Sequence, residues 1–214
     1  VIVMVLDDIW NTLYMTLAST LFGYIIGLPM GIVLTVTDKD GIRPNAAVYK
    51  VLDVISNLLR SIPFIILLIV LIPFTRFVVG RSYGSTATIV PLTIAAAPYI
   101  ARMVESSLKE VDAGVIEAAR SMGASDFQIV TRVMLVEART SLIVGATISL
   151  GTILGYSAMA GTVGGGGLGD IAIRYGYTRW QTDIMVVTVV LLVILFQIFQ
   201  TIGMKIANRL DRRK

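Results

Sequence analysis

The chain contains no cysteine and no histidine among its 214 residues. With neither thiolate nor imidazole, there is no disulfide, no zinc site of the usual ligand set, and no Ser-His or Cys-His nucleophilic pair. Charge is also scarce, at 15% of residues against 56% hydrophobic, whereas soluble domains carry about a quarter charged residues. Mean hydropathy is +0.82. The formal net charge of +4 would suit a nucleic-acid ligand, but the basic residues sit in gaps between long apolar runs. We therefore read them as a topology signal, with no nucleic-acid partner expected. The first apolar run is too long, and lacks the basic flank, for a cleavable signal peptide. Val1 in place of Met points to trimmed residues or a non-Met start.

Five apolar runs approach the roughly 20 helical residues that cross a bilayer: 11–37, 61–75, 82–101, about 140–160 and 184–204. The 61–75 run is short, and Arg76 is placed to extend it by snorkelling. The expected fold is all-α and polytopic, a single transmembrane domain over 1–214 with five transmembrane helices. Of the 18 Lys and Arg residues, Arg76, Arg81, Arg174 and Arg179 fall on one side of such a fold and the other fourteen on the opposite side. By the positive-inside rule the N-terminus lies outside, while the long loop between spans three and four and the C-terminal tail are cytoplasmic.

The spans are rich in helix-bending and close-packing residues. Pro29, Pro63, Pro73, Pro91 and Pro98 lie within or at the edges of apolar runs, where each removes a helical hydrogen bond and permits a kink. Gly23, Gly27 and Gly31 form a small-residue ridge in span one, and Gly151 with Gly155 repeats the device in span four. Arg60, Arg102 and Glu105 border the spans, where such charges either line a path or snorkel to the interface.

The long loop has its own local code. Asp112 is an N-cap for a short helix that brings Val115, Ala118, Ala119 and Met122 to one face. Gly123 ends that helix in a left-handed conformation. Ser125 and Gln128 then form a capping box that starts a second helix running toward span four. Glu117, Ala118 and Ala119 give this hairpin a small-residue face with an adjacent carboxylate. Such a face suits insertion into a partner's groove, and equally an amphipathic helix lying on lipid headgroups.

Glu117-Ala118-Ala119, then Gly123, then Val133-Met134-Leu135 with Val133 at the position of an isoleucine, resembles the EAA loop of binding-protein-dependent ABC importer permeases, departing at Val136, where that family usually has proline. The resemblance implies that the loop, about 103–135, is a coupling helix hairpin seated in a cleft of an ATP-hydrolysing subunit. Glu117, Ala118, Ala119 and Gly123 would be its docking residues. Arg60-Ser61-Ile62-Pro63-Phe64 is similar to a segment of amino-acid importer permeases. The stretches 95–105 and 155–169 resemble the third span and the glycine-rich segment of methionine-uptake permeases. What these likenesses imply is a homodimeric permease in a bacterial cytoplasmic membrane. It would pair with two ATP-binding subunits and a periplasmic or lipoprotein solute-binding protein, and translocate an amino acid by ATP-driven alternating access. No cofactor belongs to this chain, since ATP would be bound by the partner, and no bond chemistry is expected of it.

The run Gly164–Gly167 reads as a permissive loop on the outer side. It is not a phosphate cradle, because no strand precedes it and no Lys-Ser/Thr follows. Tyr156 and Met159 are pathway or gate candidates, with plain packing the alternative. Permeases for an osmoprotectant or another amino acid remain open, as does a different class, an ion-coupled secondary transporter. Against the latter stand the lack of an internal inverted repeat and of a clear acidic residue within a span. A membrane-embedded enzyme is disfavoured by the missing His, Cys and paired intramembrane acids.

Overall fold

The structure, a computed structural model, describes residues 2–210. Val1 and the tail residues Arg212, Arg213 and Lys214, counted above among the basic residues, lie outside the described residues. Among the described residues every regular element is helical. Four helices are long and apolar enough to cross a membrane, and a fifth candidate is a pair of helices bent by 102°.

Helix α1 (Ile2–Thr37) runs without interruption through Pro29. Thr12, Thr20 and Thr35 turn their hydroxyls back onto the carbonyls of Asp8, Thr16 and Gly31, which satisfies these polar groups inside the helix where no water competes. The glycine ridge meets α5 (Ser85–Lys109). A Cβ on Gly27 would lie 2.6 Å from the Ala97 carbonyl oxygen, and one on Gly31 2.6 Å from that of Ala101. Only hydrogen at these positions lets the two backbones come so near. Helix α5 is the most buried span and continues well past residue 101, the end expected for span three, so that Arg102, Glu105 and Lys109 belong to the helix.

The second span departs most from expectation. The 61–75 run is not one helix. Helix α2 (Ala46–Ser61) starts 15 residues earlier, capped by Asn45, whose side chain accepts from the Val48 amide at 3.2 Å. It stops because Ile62 is held extended (φ −80°, ψ 124°) before Pro63, as steric contact with the proline ring requires. Helix α3 (Phe64–Val70) then leaves at the steep angle, and after Leu71 a further short helix, α4 (Ile72–Val79), begins with Pro73 in its first turn.

Beyond α5 come α6 (Ala113–Ser121) and α7 (Asp126–Gln128), a wide π-type turn over Ile129–Met134, α8 (Leu135–Glu137), and the long α9 (Arg139–Ala160). The second hairpin helix is therefore broken into short pieces rather than running smoothly into span four. Helix α10 (Gly167–Ile171) is wholly buried, and α11 (Thr182–Leu210) is largely exposed along its apolar length.

The bundle has two distinct ends. At one, a cavity of about 590 Å³ is bounded by Glu110, Asp112, Arg139 and Leu210, so the C-termini of α5 and α11 meet the start of α9 beside the hairpin. At the other, the glycine loop closes the fold: the Gly84 amide donates to the Gly164 carbonyl, the Gly167 amide to Asp8, and the Leu168 amide to Thr12. The expected permissive loop is thus a packed plug. Gly164, Gly166 and Gly167 all have positive φ, and a Cβ on Gly167 would strike Thr12 and Met15. Gly167 itself opens α10. Asp170 is buried here beside Arg174, and burial pushes its carboxyl above the usual carboxylate range despite that partner.

Candidate docking hairpin and transport face

The hairpin forms as its local residues dictate. Asp112 accepts from the Gly114 amide at 2.7 Å, starting α6. Gly123, at φ +82°, turns the chain where any other residue would be strained. Ser125 and Gln128 exchange both hydrogen bonds of a capping box. The inner face of α6 packs through Ile116 and Ala119 onto Leu108 of α5 and onto Ile129 and Met134. The outer face is apolar and open: Val115, Ala118, Met122 and, from α7, Phe127 are exposed. The four residues expected on one face therefore divide. Ala119 is buried, whereas Val115, Ala118 and Met122 point away with Glu117, also exposed. Exposed apolar side chains with the charged Glu117 and Arg120 also exposed on the same helix are what a partner's groove would cover. Val136, the departure from the family pattern, is exposed in α8.

A second exposed strip runs along α9. Ile148, Thr152, Gly155 and Met159 recur at helical spacing on one line, and Ile148, Gly155 and Met159 are all exposed. A Cβ on Gly155 would meet nothing, so Gly155 belongs to this open face, whereas Gly151 abuts Phe196 of α11. The expected Gly151–Gly155 packing ridge is thus half packing and half open surface. The Thr152 hydroxyl lies 3.4 Å from that of Tyr99. Tyr156 is turned off the strip, its ring stacked on Phe64 with centroids 4.7 Å apart.

A chain of charges that sequence reasoning did not anticipate occupies the hairpin end. Asp38 and Lys109 pair at 2.6 Å, Lys109 and Glu105 at 2.8 Å, Glu105 and Arg102 at 2.8 Å, and Arg102 is also paired with Asp53. The Tyr49 hydroxyl donates to Glu105 at 3.3 Å, and Arg102 donates to the Asn57 side chain at 3.1 Å. Glu105 is only 5% exposed and does not border open space, while the partly buried Arg102 is engaged by Asp53, Glu105 and Asn57. Glu105 is an acid within a spanning helix, contrary to expectation, and it is neutralised by two cations. Outside the spans, the Lys109 ammonium holds the Asp38 carboxyl below its ordinary range. The signal was present in the sequence: Tyr49, Asp53 and Asn57 recur every four residues and Arg102, Glu105 and Lys109 every three or four, which aligns one polar stripe on each of two helices. It stays hidden unless 46–61 is read as helix.

The description "binding-protein-dependent transport system inner membrane component" fits residues 7–214. A Vibrio cholerae protein assigned as a D-methionine transport system permease is 48% identical over 210 residues, 98% of this chain and 93% of that one. The D-methionine transport system permease protein MetI of Escherichia coli is 55% identical over 153 residues, 72% of this chain and 70% of its own. A chain of the MetNI methionine ABC transporter, solved in an inward-facing conformation, superposes with a TM-score of 0.97 at 50% identity, covering 99% of this chain and 98% of that one. An all-helical bundle with an exposed apolar hairpin, matched over nearly its full length, places this chain in the family of inner-membrane components of binding-protein-dependent transport systems.

Proposed function

We propose that the chain is the permease subunit of a methionine importer, working as two copies with two ATP-binding subunits and a solute-binding protein. The observation that carries this reading is likeness to methionine permeases along nearly the whole chain, at about half identity. In it, α6 seats in a cleft of the ATP-binding subunit. Ala118, Val115 and Met122 supply the apolar contact, Glu117 a charge-assisted bond at its edge, and Ala119 the anchor to α5. Gly123 fixes the direction in which α7 leaves. Closure of the ATP-binding subunits would move both hairpins and rock the helices between inward- and outward-facing arrangements. The hairpin end would then be cytoplasmic, and the glycine plug would face the solute-binding protein.

The open strip on α9 supports a weakly binding path between two copies. Ile148, Gly155 and Met159 suit an uncharged thioether side chain, Thr152 with Tyr99 offers hydroxyls, and Tyr156 on Phe64 backs the strip. The test is uptake of labelled L-methionine by a methionine-requiring strain with this gene deleted and restored. Loss on deletion and recovery on restoration is expected. Intact methionine uptake with lost uptake of betaine or a basic amino acid would overturn the substrate. For the hairpin, Gly123→Val forces a β-branched residue into positive φ; the variant should reach the membrane yet retain less ATP-binding subunit and lose uptake.

A further inference from the structure

The charge chain at the hairpin end joins four elements that the backbone alone does not hold together. From the foot of α1, Asp38 reaches Lys109 at the end of α5. Along α5, Lys109, Glu105 and Arg102 follow one another on one face. Arg102 crosses to α2, where it meets the Asp53 carboxylate, the Asp53 carbonyl at 3.3 Å and the Asn57 side chain, and Tyr49 reaches back to Glu105. One further bond brings in the hairpin: the Arg120 guanidinium of α6 donates to the Ile42 carbonyl at 2.9 Å. Ile42 lies in the turn between α1 and α2, itself closed by Arg43 and Asn45 amides donating to the Val36 and Thr37 carbonyls at 3.0 and 2.9 Å. Glu105, at the centre of the chain, is buried, so its bonds to Arg102 and Lys109 are partly shielded from competing water, while Asp53, Lys109 and Arg120 lie nearer the surface. At its other end α2 has no such bonding among the described residues. It ends at the extended Ile62 and at Pro63, which has no amide to donate, and α3 leaves at 102°.

We propose that Asp53, Arg102, Glu105, Lys109 and Arg120 are positioning residues of the transport cycle: they make α2 travel with the hairpin as one body, which parts from α3 at Ile62–Pro63. This rests on the reading of α6 as the helix that meets the ATP-binding subunit. Motion delivered to α6 then passes to α2 through side chains, besides passing to α5 and α9 through the backbone. The joint at Ile62–Pro63 lets α3, whose Phe64 backs Tyr156 beside the α9 strip, keep its place or turn separately.

The cysteine-free chain makes the test direct in the complete complex with its ATP-binding subunit, reconstituted in lipid nanodiscs. Cysteine pairs for spin labels are placed at the exposed positions Val51 and Ser121, spanning α2 and α6, and at Val51 and Ile66, spanning the joint. Between nucleotide-free and ATP-trapped states the first distance should stay constant and the second should shift. A first distance that changes with nucleotide, or a second that does not, overturns the proposal. Arg102→Met should broaden the first distance and lower uptake at least about fivefold, the low end of ordinary coupling between sites, with ATP hydrolysis less affected; Arg102→Lys should restore part of the uptake. Equal loss of hydrolysis and uptake in Arg102→Met, with no broadening, would mean a merely structural role. If Arg102→Met does not assemble, the two distances in otherwise unaltered protein decide the matter. Failure of the docking reading has a separate signature: the unaltered chain would not co-purify with the ATP-binding subunit.

Discussion

Two glycines on the long helices answer oppositely to the same added methyl group. At Gly27 a Cβ would lie 2.6 Å from the Ala97 oxygen and 2.9 Å from Ile100, while at Gly155 it would meet nothing. Gly27→Ala should push α1 off α5 and cost about 1–3 kcal/mol, the usual range for overpacking. Gly155→Ala should be neutral or stabilise by about 0.5 kcal/mol, because alanine is the better helix former. Thermal unfolding of the purified permease in detergent measures both, and a lower melting temperature for Gly155→Ala would mean that its face is covered. Asp38 gives a pH prediction with a definite sign. Its carboxyl titrates below its ordinary value through Lys109, so the folded state binds that proton more weakly than the unfolded chain does. The stabilisation is complete above about pH 4, the unfolded value, and is lost as pH falls through the lowered folded value. Asp38→Asn should therefore melt lower at neutral pH and lose less between pH 5 and 3 than the unaltered chain. An unchanged acid slope would show that the pair does not persist in solution.

At the scale of elements, α6 separates two adjacent alanines that look alike in the sequence. Ala118 is exposed and Ala119 is buried against the end of α5. Ala118→Trp should leave the melting temperature of the isolated permease within about 0.5 kcal/mol of unaltered stability, as surface changes generally do, yet abolish retention of the ATP-binding subunit. Ala119→Leu should lower the melting temperature directly. Pull-down and melting curves on both variants separate the two roles, and normal retention with Ala118→Trp would remove the apolar face from the contact. Much of this hairpin was legible in advance because its signals are local: Asp112, Gly123, Ser125 and Gln128 each act within four residues. Helix α2 was not. Lys50, Asp53 and Arg60 interrupt its hydropathy, so the apolar reading began only at 61, although those polar residues are spaced for a helix whose stripe is paired across space. The breakup of the second hairpin helix into α7, a π-type turn and α8 has no mark in the residues that we can name.

For the whole molecule, a bundle with four long spans and one bent pair is too small to enclose an amino acid by itself, and its longest open apolar surfaces lie along α1 and α11. A closed two-fold pair is the commonest way to double such a unit. Native mass spectrometry of the detergent-extracted complex should give two copies of this chain for two ATP-binding subunits; one copy would refute the pairing. The all-helical architecture, the long spans and the glycine ridge of α1 were legible from composition and spacing. The closure of the far end was not, because it depends on contacts between the two extremes of the chain. Asp8 and Thr12 bond to the amides of Gly167 and Leu168 across separations of 159 and 156 residues. That closure sets an order of events during synthesis. At about 5–20 residues per second, the first helix waits about 8–30 seconds in the membrane before the segment that seals it is synthesised. Until then α1 is held by its ridge on α5 and its packing on α2 and α9, without the bonds from Gly167 and Leu168, so nascent chains arrested after α9 should release it more readily to extraction or quality-control proteases than chains arrested after α10.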